Sequence, residues 1–109
     1  MKKAKLLKIY VGEATKHNGK NVVQLIIKIF REYKIAGVTV SRGIMGYGAD
    51  GIIHGTKLLE LSADLPVIIE AIDTAENIEK VIPRVLEVVP KGLCFTVDVD
   101  VHFYGSKTK

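Results

Sequence analysis

One cysteine, Cys94, is all that the 109 residues contain. No intrachain disulfide and no cysteine-based zinc site can form, and a reducing compartment, the cytoplasm, is expected. Tryptophan is absent and aromatic residues make up only 6% of the chain, which leaves little with which to stack RNA bases. Long apolar runs are missing as well. The stretch Leu6 to Val11 is broken by Lys8 and followed by Gly12 and Glu13, too short for a signal-peptide core or a membrane span. There is no repeat, no low-complexity tract, no Walker A lysine loop and no dinucleotide fingerprint, and Gly46-Tyr47-Gly48 is too short to stand for either motif. His17, His54 and His102 lie far apart without paired-ligand spacing, so no metal site is expected.

What is present suits a small folded module. Hydrophobic residues at 48% and charged residues at 26% allow burial to offset chain entropy, and the length fits a single domain over 1–109. The formal charge of +4 sits largely at the ends, in Lys2, Lys3, Lys5, Lys8, Lys107 and Lys109. It serves solubility and is compatible with a phosphate-bearing ligand.

Along the chain, Lys5 to Val11 reads as a strand with Leu7, Ile9 and Val11 on one face and Leu6, Lys8 and Tyr10 on the other. Asn18 then caps a helix over about Lys20 to Lys34 whose apolar stripe is Val22, Ile26, Ile29, Phe30 and Tyr33. A β-branched strand follows over Val38 to Ile44. Gly43, Gly46, Gly48, Gly51 and Gly55 crowd into the next segment with Tyr47, Asp50 and His54, a composition suited to a flexible excursion, and Thr56 to Leu61 returns from it as an extended piece. Leu65 to Asp73 is the next strand. Asp73, with Glu76 three residues on, caps a second helix with the stripe Ile78, Val81, Ile82, Val85 and Leu86, kinked at Pro83. Phe95 to Tyr104 closes the chain as a strand that alternates Phe95, Val97, Val99, Val101 and Phe103 against Thr96, Asp98, Asp100, His102 and Tyr104.

The order strand, helix, strand, strand, helix, strand predicts an α+β, ferredoxin-like βαββαβ sandwich in which two helices cover one face of an antiparallel sheet. The other face, expected to carry Leu6, Lys8, Tyr10, Ile68, Glu70, Ile72, Asp98, Asp100 and His102, is too apolar for plain solvent and points to a homo-oligomer, with Asp98 or Asp100 pairing with Lys8. An RNA-recognition module shares this order, but the central strands offer Tyr10 with only Ile68 and Ile72 opposite it, so nucleic acid is not an expected partner. Ser41 or Cys94 with a histidine would make a nucleophile pair on paper, yet nothing sets their geometry, and no enzyme activity is expected.

The segment Val38-Thr39-Val40-Ser41-Arg42-Gly43-Ile44-Met45-Gly46-Tyr47-Gly48, then His54, the run from Asp64 to Asp73, and Lys91-Gly92-Leu93 before the last strand together carry a resemblance. The chain resembles a widespread family of small PII-like proteins of bacteria and archaea, over nearly its whole length. The resemblance implies a homotrimer with lateral clefts, each able to take an adenine nucleotide as effector rather than as a tightly bound cofactor. It implies a T-loop presented to a membrane transporter or another enzyme. It also implies a site in which Thr39, Val40, Ser41, Arg42, Gly43 and Met45 border the base and loop entry, Gly46, Tyr47 and Gly48 form the T-loop root, and Lys91, Gly92 and Leu93 form the B-loop. Leu93 stands where PII proteins carry a phosphate-binding lysine, and His102 and Tyr104 stand near their terminal arginines. The implied ligand is therefore AMP, cyclic AMP or ADP rather than ATP. A CutA-like trimer linked to metal tolerance shares the implied fold and is the alternative.

Overall fold

A computed structural model describes residues 3–48, 54–55 and 64–106. Strand β1 (Lys3–Gly12) buries Leu7, Ile9 and Val11 on one side, as its alternation requires. Two short strands follow, β2 (Lys16–His17) and β3 (Lys20–Asn21), joined by Asn18 and Gly19. Both linking residues have positive φ, 51° and 77°, the backbone that an Asn-Gly hairpin turn demands. Asn18 is thus a turn residue and not the helix cap. Asn21 takes that role, its side chain accepting from the Gln24 amide at the start of α1 (Val22–Glu32). The helix starts two residues later than the spacing suggests because the hairpin occupies the chain before it.

After α1 come β4 (Val38–Arg42), the short pair β5 (Met45–Gly46) and β6 (His54–Gly55), then β7 (Pro66–Asp73), α2 (Ala75–Val88) and β8 (Leu93–Asp100). The expected return piece Thr56 to Leu61 lies outside the described residues. The cap of α2 is Thr74, whose hydroxyl accepts from the Asn77 amide. Asp73 instead ends β7 and is buried. Its carboxylate accepts from the amides of Thr74 at 2.7 Å and Ala36 at 2.8 Å and from the Asn77 side chain at 3.0 Å, so it joins the α1–β4 connection to the start of α2.

The main sheet has the order β4-β7-β1-β8 with every neighbouring pair antiparallel. This is the ferredoxin-like arrangement. Both helices pack on one face, where Val22, Ile26, Ile29 and Phe30 of α1 and Ile78, Val81, Val85 and Val88 of α2 meet Leu7, Ile9, Val11, Val67, Ile69 and Ala71. Tyr33 caps the end of α1 and is exposed, and Leu86 is exposed on α2. Leu86 follows Val85 by about 100° around the helix, which turns it off the stripe that Val81, Val85 and Val88 define.

The register corrects the reading of the last strand. Val97 lies opposite Leu6 and Phe95 opposite Lys8, whereas Cys94 lies opposite Ile9. Directly paired residues share a face, so Phe95, Val97 and Val99 stand on the side that neither helix covers, and Cys94 packs against the core. Asp98 turns toward the helix side and bonds Lys5 at 2.8 Å, while Lys8 pairs with Glu70 at 3.7 Å. Neither ion pair is the one expected from the alternation. β8 ends at Asp100, so Val101 to Tyr104 lie beyond it. There Tyr104 donates its hydroxyl to the Ala36 carbonyl at 2.8 Å. The uncovered face is consequently more apolar than expected, with Ile72 and Val97 still 40% and 46% exposed. Tyr10 and Phe95 stack on it with ring centres 6.2 Å apart.

Candidate functional site

A cavity of about 600 Å³ opens where the ends of β1 and β4, the start of β7 and the entry to β8 converge, within the usual range for a small-molecule site. The sheet order explains the meeting. β1 is central, and the register places Gly12 opposite Pro66 and Tyr10 opposite both Ile68 and Leu93, so residues distant in sequence share one end of the sheet.

Of the residues the sequence singled out, Gly43, Met45, Gly46, Tyr47 and Gly48 line the cavity from the loop root, and Lys91, Gly92 and Leu93 line it from the opposite flank. Thr39, Val40, Ser41 and Arg42 do not. Thr39 and Ser41 lie on the uncovered face of edge strand β4, opposite Glu70 and Ile68, and Val40 turns to the other side. Arg42 reaches away to Glu13, with Nη2 donating to Oε1 at 3.2 Å and Nε paired with Oε2.

Tyr10, Val11, Gly12, Asp64, Pro66 and Ile68 also line the cavity, and residue-by-residue reading missed them. Their signal lay in the pairing of the first and third main strands, which sets the end of one beside the start of the other.

Besides Gly43, where a Cβ would meet the Pro66 ring at 2.7 Å, two of these positions are tightly approached. Gly92 has φ of +146°, and a Cβ there would collide with the Tyr10 carbonyl oxygen. At Gly12 a Cβ would strike the Asp64 carboxylate. Both positions bring main chain to the cavity wall with no side chain intervening, which is how backbone amides approach an anion. The walls are otherwise apolar or aromatic, from Val11, Met45, Pro66, Ile68, Leu93, Tyr10 and Tyr47. Lys91 is the one cation and Asp64 the one anion among the described lining residues.

The turn at 12–15 fixes this end of the molecule. Glu13 donates its amide to Leu65 O at 2.8 Å, Ala14 donates to Asp64 Oδ1 at 2.7 Å, and Gly43 donates to Pro66 O at 2.7 Å. The returning root at 64–65 is thereby tied to the turn that follows β1, and the outgoing root at Gly43 is tied to the returning root at Pro66. Cys94 sits outside the cavity lining, and burial raises its thiol pKa above the ordinary value, which disfavours the nucleophilic thiolate.

The DUF190 family model, described as "Uncharacterized ACR, COG1993", matches residues 4–101. The chain belongs to this family. A UPF0166 protein of Methanocaldococcus jannaschii is 42% identical over 108 residues, covering 99% of this chain and 98% of that one. Among solved structures, CPII from Thiomonas intermedia K12 superposes with a TM-score of 0.65 at 19% identity, over 91% of this chain and 88% of that one. It is a nitrogen regulatory PII-like protein bound to ADP, AMP and bicarbonate. The divalent ion tolerance protein CutA1 of Ehrlichia chaffeensis gives 0.59 at 18% identity, over 98% and 89%. At these identities the likeness shows the fold, which is that of PII-like proteins.

Proposed function

We propose that this DUF190 member is a PII-like regulator of the cytoplasm, a single domain without enzymatic activity. It binds an adenine nucleotide, AMP, cyclic AMP or ADP, in the cavity at the T-loop root. It presents the glycine-rich segment that leaves Gly43 to a partner, a membrane transporter or another enzyme.

The observation that carries this reading is the cavity itself. Glycine-lined main chain from the loop root and from Lys91-Gly92 faces one apolar space of nucleotide size, on a fold whose relative CPII holds ADP and AMP. With Lys91 as the one lining cation among the described residues, one or two phosphates are matched better than three.

The same geometry supports assembly as a homotrimer. Tyr10, Ile68 and Leu93 belong both to the cavity lining and to the uncovered face. A copy packed on that face would add a wall to the cavity, so effector binding and self-association share residues.

A CutA-like role in metal tolerance shares the fold. It draws less from the side chains, since no group of three or more His, Cys, Asp or Glu converges among the described residues. Calorimetric titration with AMP, cyclic AMP, ADP and ATP tests the proposal. Binding of the first three at lower concentration than ATP is expected, and tight ATP binding without AMP or ADP binding contradicts it. Gly46→Val, which directs a branched side chain toward Pro66 at the mouth, is expected to abolish nucleotide binding and leave the oligomer intact.

A further inference from the structure

The two charged residues of the cavity stand on opposite flanks of β1. Lys91 precedes β8 and Asp64 precedes β7, and each of those strands neighbours β1. The flanks are two strand spacings apart, about 10 Å.

Asp64 is held in place from two sides. Its Oδ1 accepts the Ala14 amide at 2.7 Å, and its carboxylate rests against the bare Cα of Gly12. The amide of Glu13, between those residues, ties to the carbonyl of Leu65, the neighbour of Asp64. An ionised carboxylate accepts hydrogen bonds and donates none, with about four lone-pair sites. Among the described residues the Ala14 amide is its one hydrogen-bonding partner, so acceptor capacity remains on a group fixed at the cavity wall. Such a group repels phosphate and rewards a donor.

We propose that Asp64 determines specificity in this cavity by accepting a hydrogen bond from a donor on the nucleotide, a ribose hydroxyl or the exocyclic amine of adenine, on the flank opposite Lys91. The inference rests on the nucleotide reading above and deepens it. Lys91 and the Gly92 main chain draw the phosphate to one flank, and Asp64 selects what lies at the other. The ligand is thereby oriented by charge as well as by shape.

The test is calorimetry of wild type, Asp64→Ala and Asp64→Asn with three probes: AMP, 2′,3′-dideoxy-AMP, which lacks the sugar hydroxyls, and IMP, which lacks the amine. Wild type is expected to bind AMP about tenfold or more tightly than at least one analogue, because a site built around a donor rejects the ligand that lacks it. Which analogue suffers identifies the donor. In Asp64→Ala that ratio is expected to fall to about twofold or less. Asp64→Asn, which keeps an oxygen for the Ala14 amide, guards against misfolding of the alanine variant and is expected to narrow the ratio as well. Equal affinity of wild type for all three probes, or full discrimination retained in both variants, overturns the assignment. Failure of wild type to bind any of the three overturns the nucleotide reading instead, and the two failures look different in the same titrations.

Discussion

At the scale of single residues, Asp73 shows how a buried charge is made tolerable. Burial alone would raise its pKa, but the amides of Thr74 and Ala36 and the side chain of Asn77 outweigh that and hold it below its ordinary value. A carboxyl depressed in the folded state stabilises the fold fully above the unfolded value of about 3.9, and the contribution is lost as pH falls through the folded pKa. Urea unfolding at neutral pH should therefore show Asp73→Asn less stable by about 2 kcal/mol, because an amide group then faces donors that a carboxylate satisfied. The deficit should narrow as the pH of the titration falls below the ordinary carboxyl range and through the depressed folded pKa, where the wild-type carboxylate is itself protonated. Residue-by-residue reading found Asp73 but gave it the wrong task. The adjacent Thr74 can also cap, though threonine ranks below aspartate, and the tertiary position of Ala36 decides which of the two serves the helix.

Elements were legible where periodicity was strong and misread where two local rules competed. The stripe of α1, apart from Tyr33 at its end, and the alternation of β1 carried through because each matches one buried face. Asn18-Gly19 obeys the turn rule before the cap rule, since a two-residue hairpin fixes positive φ at both positions. Alternation in β8 was correctly seen but assigned to the wrong side. A strand of period two declares which residues share a face and never which face is the core, and the more apolar set here turns away from the helices. The cavity followed the same pattern. Its glycines and Lys91 stood out as composition, whereas Asp64 and Gly12 needed the register of β1 against β7. The cap assignment has its own check: Thr74→Ala should lower stability by about 1 kcal/mol in chemical denaturation, and an unchanged midpoint would return the cap to Asp73.

For the whole molecule, the sheet is one-sided. Helices bury one face, and the other exposes Ile72, Leu93 and Val97 around the ion pair of Lys8 with Glu70 and the stacked rings of Tyr10 and Phe95. Contiguous apolar surface of this kind is more often an interface than a solvated wall. In the proposed assembly, copies of the chain cover this face and in doing so wall the cavity at Tyr10, Ile68 and Leu93. Val97→Glu places a charge in the middle of that surface, where an unpaired buried carboxylate is costly, and is expected to yield folded monomers with weakened nucleotide affinity. Sedimentation velocity of the wild-type protein at micromolar concentration checks this assembly. One species of three times the mass of a single chain is expected, and a stable monomer with this face open to water would overturn the proposed assembly.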